Sequence, residues 1–148
     1  MRGCACPPKR SFRDTPAKKT DSKDRPRGGT EGAHRSMHSP SRQLLLDCVI
    51  QFVASARPLV EAIAKRDRDL GSQVRQALSS VGLNVAEGIG NCGGNSRLRF
   101  QSALGSLYEV RAGLRIAAAW GYIPGKACAE VVAGSDRLGA RLYGLARR

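Results

Sequence analysis

The stretch from Val81 to Gly90, followed by Asn91-Cys-Gly-Gly-Asn-Ser96 and then by Phe100 to Val110, limits what this chain can fold into. Apolar side chains recur at three- and four-residue intervals on both sides of a glycine-rich reversal. They are Val74, Leu78, Val81 and Val85 before it, and Phe100, Ala103, Leu107, Val110 and Leu114 after it. Such spacing puts each set on one face of a helix, so the two helices close along one seam. The cluster Gly88, Gly90, Gly93 and Gly94 is expected to end the first helix through left-handed backbone conformations. It follows a helix rather than a strand and lacks a Gly-Lys-Ser/Thr ending, which favours a turn over a phosphate loop.

Two more helices share the pattern. The first runs from near Ser41 to about Lys65, with Leu45, Cys48, Val49, Phe52, Ala56, Leu59, Val60 and Ile63 on one face. Pro58 interrupts it, so a kink near Ala54 to Arg57, or two shorter helices, is expected. Asp67 and Asp69 mark the start of the second helix, from about Arg68 to Ile89. Asn95 or Ser96 is suited to cap the third, which continues through Trp120 and stops at Gly121. Pro124 fits the first turn of a fourth helix. It directs Val131, Leu138, Leu142 and Leu145 to the core, while Gly125, Gly134, Gly139 and Gly144 weaken it. With no strand pattern of useful length, the fold class is all-α. The expected architecture is an antiparallel up-down-up-down four-helix bundle over residues 42–148.

Residues 1–41 are rich in Pro, Gly, Ser, Lys and Arg and have almost nothing to bury, so a disordered basic tail is expected there. The net charge is +13, and both segments contribute: 11 Lys/Arg against 4 Asp/Glu up to residue 43, and 14 against 8 afterwards. A field of that sign attracts polyanions. From residue 44 onward there are 12 Arg and 2 Lys, and the rigid guanidinium fork suits phosphate. The candidate nucleic-acid-binding residues are Arg97 and Arg99 after the reversal, Arg111 and Arg115 one turn apart on the third helix, and Arg66, Arg68 and Arg75 toward the far end of the second. Phe52, Phe100, Tyr108, Trp120, Tyr122 and Tyr143 mostly take core or turn positions. Binding is therefore expected to be to the backbone of RNA or DNA, without reading sequence.

The pattern offers no catalytic machinery. Both histidines, His34 and His38, lie in the tail, and the eight acidic residues beyond it are dispersed. No catalytic residue, metal ligand set or cofactor is expected. The five cysteines form an odd, scattered set, which fits a reducing cytoplasmic compartment. No run approaches about 18 apolar residues and the N-terminus lacks the apolar core of a signal peptide, so no membrane association is expected.

Three segments together resemble a known family: Ser79-Ser-Val-Gly-Leu-Asn-Val-Ala-Glu-Gly88, Phe100 leading into Ala103-Leu-Gly-Ser-Leu-Tyr-Glu109, and Trp120-Gly-Tyr-Ile123. They are similar to the four-helix-bundle proteins encoded in intervening sequences of bacterial 23S ribosomal RNA genes, and the likeness runs in order from about Leu44 to Arg148. That family is itself similar to the accessory variability proteins of diversity-generating retroelements. The resemblance implies a homo-oligomer, typically a pentamer, and a basic surface that in the retroelement relatives engages nucleic acid and a reverse transcriptase. A protein-interaction scaffold without nucleic acid is the alternative. Asn84, Glu87, Gly88, Gly105 and Glu109 belong to the structural motif. Asn84, Glu87 and Glu109, beside the seam, are read as satisfying buried amides, pairing with arginines such as Arg75 or Arg111, or fixing register.

Overall fold

Three glycines let the second helix come close to both of its neighbours, and the bundle is built outward from it. The computed structural model describes residues 40–147, so all but the last two residues of the expected N-terminal tail lie outside the described residues. The helices are α1 (Pro40–Arg66), α2 (Arg68–Gly90), α3 (Gly93–Ala119), α4 (Gly125–Gly134) and α5 (Asp136–Ala146). α4 and α5 form one rod, giving four rods that run alternately up and down, each packed on its chain neighbour, with the fourth closing against α1. The all-α bundle read from the periodicity is the fold observed.

The core follows the predicted stripes. Val49, Ile63, Val81, Val85, Leu107, Val110, Leu114 and Leu142 are fully buried at the centre. Asp67 caps α2 as expected, its carboxylate accepting from the Leu70 amide at 2.9 Å. α1, in contrast, passes through Pro58 as one helix, so of the two outcomes expected there, a kink or two shorter helices, the second does not occur. Ala54, whose carbonyl loses its partner there, and Pro58 both lie on the exposed face, where water replaces the missing bond. The most apolar 18 residues within Gln43–Arg66 average a hydropathy of 1.3, enough by length and composition to cross a membrane. Here that apolar content serves the core through Val49, Phe52, Ala56, Val60 and Ile63, while Asp47, Arg57 and Glu61 face outward.

The glycines divide by role. A Cβ at Gly71 would fall 2.7 Å from Ala64 Cα, and one at Gly88 would fall 2.8 Å from Phe100 Cε1. A Cβ at Gly113 on α3 would collide with Val74 Cγ2. In the reversal cluster only Gly93 has a left-handed backbone (φ 59°), so Gly88 serves close packing and not helix termination. Ser96 does not cap α3; its hydroxyl donates to the Gly88 carbonyl at 2.6 Å and so closes the C-terminal end of α2. The fourth rod breaks at Ser135. There the Ser135 amide is shared between the Val131 and Val132 carbonyls, and the Ser135 Oγ donates to the Val132 carbonyl at 2.6 Å.

Gly71→Ala is expected to destabilise the bundle by about 1–3 kcal/mol, because the clash is with backbone and cannot relax by a rotamer change. Gly144→Ala, in the last turn of α5 with nothing within 4 Å, is expected to stabilise by no more than roughly 0.5–1 kcal/mol. Urea unfolding of both variants beside the parent checks the pair.

Candidate nucleic-acid interface

The arginines singled out in the sequence do not gather into one patch. Arg66 and Arg68 flank the α1–α2 turn, while Arg97 and Arg99 stand in the first turns of α3 at the opposite end. Arg75 is exposed on α2 and lies in the field of Glu61. The hydrogen bond from Arg57, at 2.7 Å, holds the Glu61 carboxyl below its ordinary range, and the charges of Arg57, Lys65 and Arg75 add to this.

Arg99 is engaged within the bundle. Its Nε pairs with Glu87 Oε2 at 2.7 Å and its Nη1 lies 3.5 Å from Asn84 Oδ1, while Asn84 Nδ2 donates to the Ser80 carbonyl. The polar motif residues Asn84 and Glu87 thus tie α2 to α3 through Arg99, not through Arg75 or Arg111. Both partners of the ion pair are about half exposed, so the tie is worth no more than about 1 kcal/mol. Glu109 is exposed on α3, and Gly105, also exposed, has nothing within 4 Å of its missing Cβ.

Arg111 has a structural role. Its side chain is only 17% exposed; Nε donates to Ser135 Oγ at 2.7 Å and Nη2 reaches Asp136 Oδ1 at 3.0 Å. It therefore fastens α3 to the break between α4 and α5, and Ser135, fully buried, is satisfied by it. Arg115, one turn on, is exposed with no carboxylate in reach among the described residues. The two lie on one side of α3 as expected, but only Arg115 offers its charge to solvent.

Arg137 and Arg141 on α5, and Arg147 just past its end, are exposed and were not singled out from sequence, although the 3.6-residue period places them off the Leu138–Leu142 face. Of the aromatic residues, Phe52 and Phe100 lie in the core and Trp120 and Tyr122 in the turn after α3, as expected, whereas Tyr108, 57% exposed, and Tyr143, 51% exposed, stand on helix surfaces. Among the described residues no three His, Cys, Asp or Glu side chains come together as a metal set. A groove of about 490 Å³ between α3 and α4 is lined by Arg111, Arg115, Asp136 and mainly small apolar side chains.

A family model described as 23S rRNA-intervening sequence protein matches residues 48–144, from within α1 to within α5. The chain belongs to that family. No curated protein and no solved structure matches. The match of this intervening-sequence protein spans the seam between α2 and α3 with Asn84, Glu87, Gly88, Gly105 and Glu109, and it includes the Arg111–Ser135–Asp136 contact.

Arg111→Ala in this family member is expected to cost about 1–3 kcal/mol, the range for hydrogen bonds to a charged group with partial burial. Arg115→Ala should stay within about 0.5 kcal/mol of the parent. Chemical denaturation read by far-ultraviolet circular dichroism distinguishes the two.

Proposed function

We propose that this bundle is a non-enzymatic, cytoplasmic homo-oligomer, pentameric as the family resemblance implies, that binds the backbone of RNA or DNA without reading sequence. The observation that supports it is the unopposed surface charge. Arg66, Arg68, Arg97, Arg115, Arg137 and Arg147 have no carboxylate within ion-pair distance among the described residues. Exposed guanidinium groups on rigid helices suit phosphate oxygens, and release of counterions drives such binding. Assembly is supported by the outer face of α3. Leu98, Gly105, Ala112 and Ala119 recur every seven residues there with Ile116 beside them, all exposed. The open space around Gly105 would let a second helix approach closely.

Affinity for a generic oligonucleotide is expected to fall steeply with salt. Replacing both Arg97 and Arg115 by Glu should weaken binding across all sequences and flatten the log–log salt slope by roughly 1 for each phosphate contact removed. Fluorescence anisotropy across a salt series, with light scattering to follow assembly, provides the measurement. Salt-independent or undetectable binding at low ionic strength removes the nucleic-acid reading and leaves the scaffold for an acidic protein partner.

A further inference from the structure

One side of α3 combines charge and rings in a single line. Arg97, Gln101, Leu104, Tyr108, Arg111 and Arg115 follow one another at alternating steps of four and three, which on a helix is one stripe. The stripe borders α5, because Gly139 lies against Leu107 and Arg111 and because Asp136 accepts from Arg111. α3 and α5 are antiparallel. Tyr143, four residues beyond Gly139, thus falls about one helical turn, ~6 Å, from the level of Tyr108, and Arg147 falls a further turn toward Arg97.

Both tyrosines point outward from this seam, each with an arginine against it. Arg111 Cζ lies 5.7 Å from the centre of the Tyr108 ring. Arg147 Cζ lies 5.3 Å from that of Tyr143, and its Nη1 donates to the Tyr143 hydroxyl at 2.9 Å. With each of the two residues more than half exposed, ring surface remains open to solvent. Among the described residues the carboxylate on the seam is that of Asp136, already occupied by Arg111, so Arg97, Arg115 and Arg147 leave this part of it net positive. Toward the Arg115 end the seam continues into the groove between α3 and α4.

We propose that the seam between α3 and α5 is a track for single-stranded nucleic acid, with Tyr108 and Tyr143 as stacking platforms for bases and Arg97, Arg115 and Arg147 holding the backbone. This rests on the nucleic-acid reading above and narrows it to unpaired strands. Every base has a π-face and only an unpaired one can present it to a side chain, so the rings select single strands without selecting sequence. An acidic peptide would use the arginines, but successive unpaired bases match two open rings about one turn apart with a flat π-face for each. Trp120 is exposed but off this line, at the end of α3, where it stacks on Tyr122 at 6.5 Å.

The test is anisotropy with labelled single-stranded RNA, single-stranded DNA and a duplex of equal length, using the full chain and its Tyr108→Leu/Tyr143→Leu, Tyr108→Phe/Tyr143→Phe and Trp120→Leu variants. The expected result is single-strand binding at least ~10-fold tighter than duplex binding. The double Leu variant should lose ~10-fold or more on single strands while its duplex affinity and salt slope stay unchanged. The Phe pair should retain binding, since stacking needs the ring and not the hydroxyl, and Trp120→Leu should have no effect. Equal single-strand and duplex affinity with no loss in the Leu variant overturns the track but leaves backbone binding standing. Absence of any binding at low salt overturns both. A change of oligomeric state in the Leu variant without a selective loss of single-strand affinity assigns the tyrosines to a subunit contact and likewise overturns the track.

Discussion

Close approach of α2 to α1 and α3 is the constraint on which the other contacts depend. Gly71 against Ala64 and Gly113 against Val74 leave no room for a Cβ on the glycine side, and Gly88 sits beneath the Phe100 ring. Helices this close interlock their apolar rows, so Val81, Val85, Leu107 and Val110 lose all contact with solvent. The same contacts fix the rotation of α3. Once Phe100, Leu107 and Leu114 face inward, the side carrying Arg97, Tyr108 and Arg115 must border the fourth rod, and the side carrying Gly105 and Ile116 must face out.

The apolar periodicity was enough to name the helices and nearly all of their inward residues, because burial of one face depends on spacing within a single element. Contacts between elements were less legible. The glycines before the reversal read as helix terminators, yet Gly88 is needed for the Phe100 ring that faces it from α3, a partner 12 residues away that no local pattern announces. Ser96 had the chemistry of an N-cap and used it on the preceding helix. Pro58 had the chemistry of a helix breaker, but on the solvent side the cost falls on a carbonyl that water can satisfy.

Charge was the least legible property. Arg111 and Arg115 look equivalent as a pair one turn apart, and the chain separates them by what α5 brings against each. Ser135 and Asp136 meet Arg111 and hold it in the structure, whereas Arg115 stands past them at the rim of the groove. Asp136 alone is 69% exposed, so the contact gains more from geometry and from the buried serine than from the ion pair itself. Tyr108 and Tyr143 likewise could be core or surface by composition, and only the rotation of two helices decides it.

The break at Ser135 has a thermodynamic consequence. α5 is 11 residues long, too short to persist as a helix unless packed, and its attachment to α3 rests on Leu138, Gly139, Leu142 and the grip of Arg111. A short element held by so few contacts belongs to the class that opens locally while longer helices stay folded. Since α5 carries Tyr143 and leads into Arg147, a ligand lying along the seam would bind only the docked form. Occupancy and the order of the chain's C-terminal segment are then linked quantities, each raising the other by mass action.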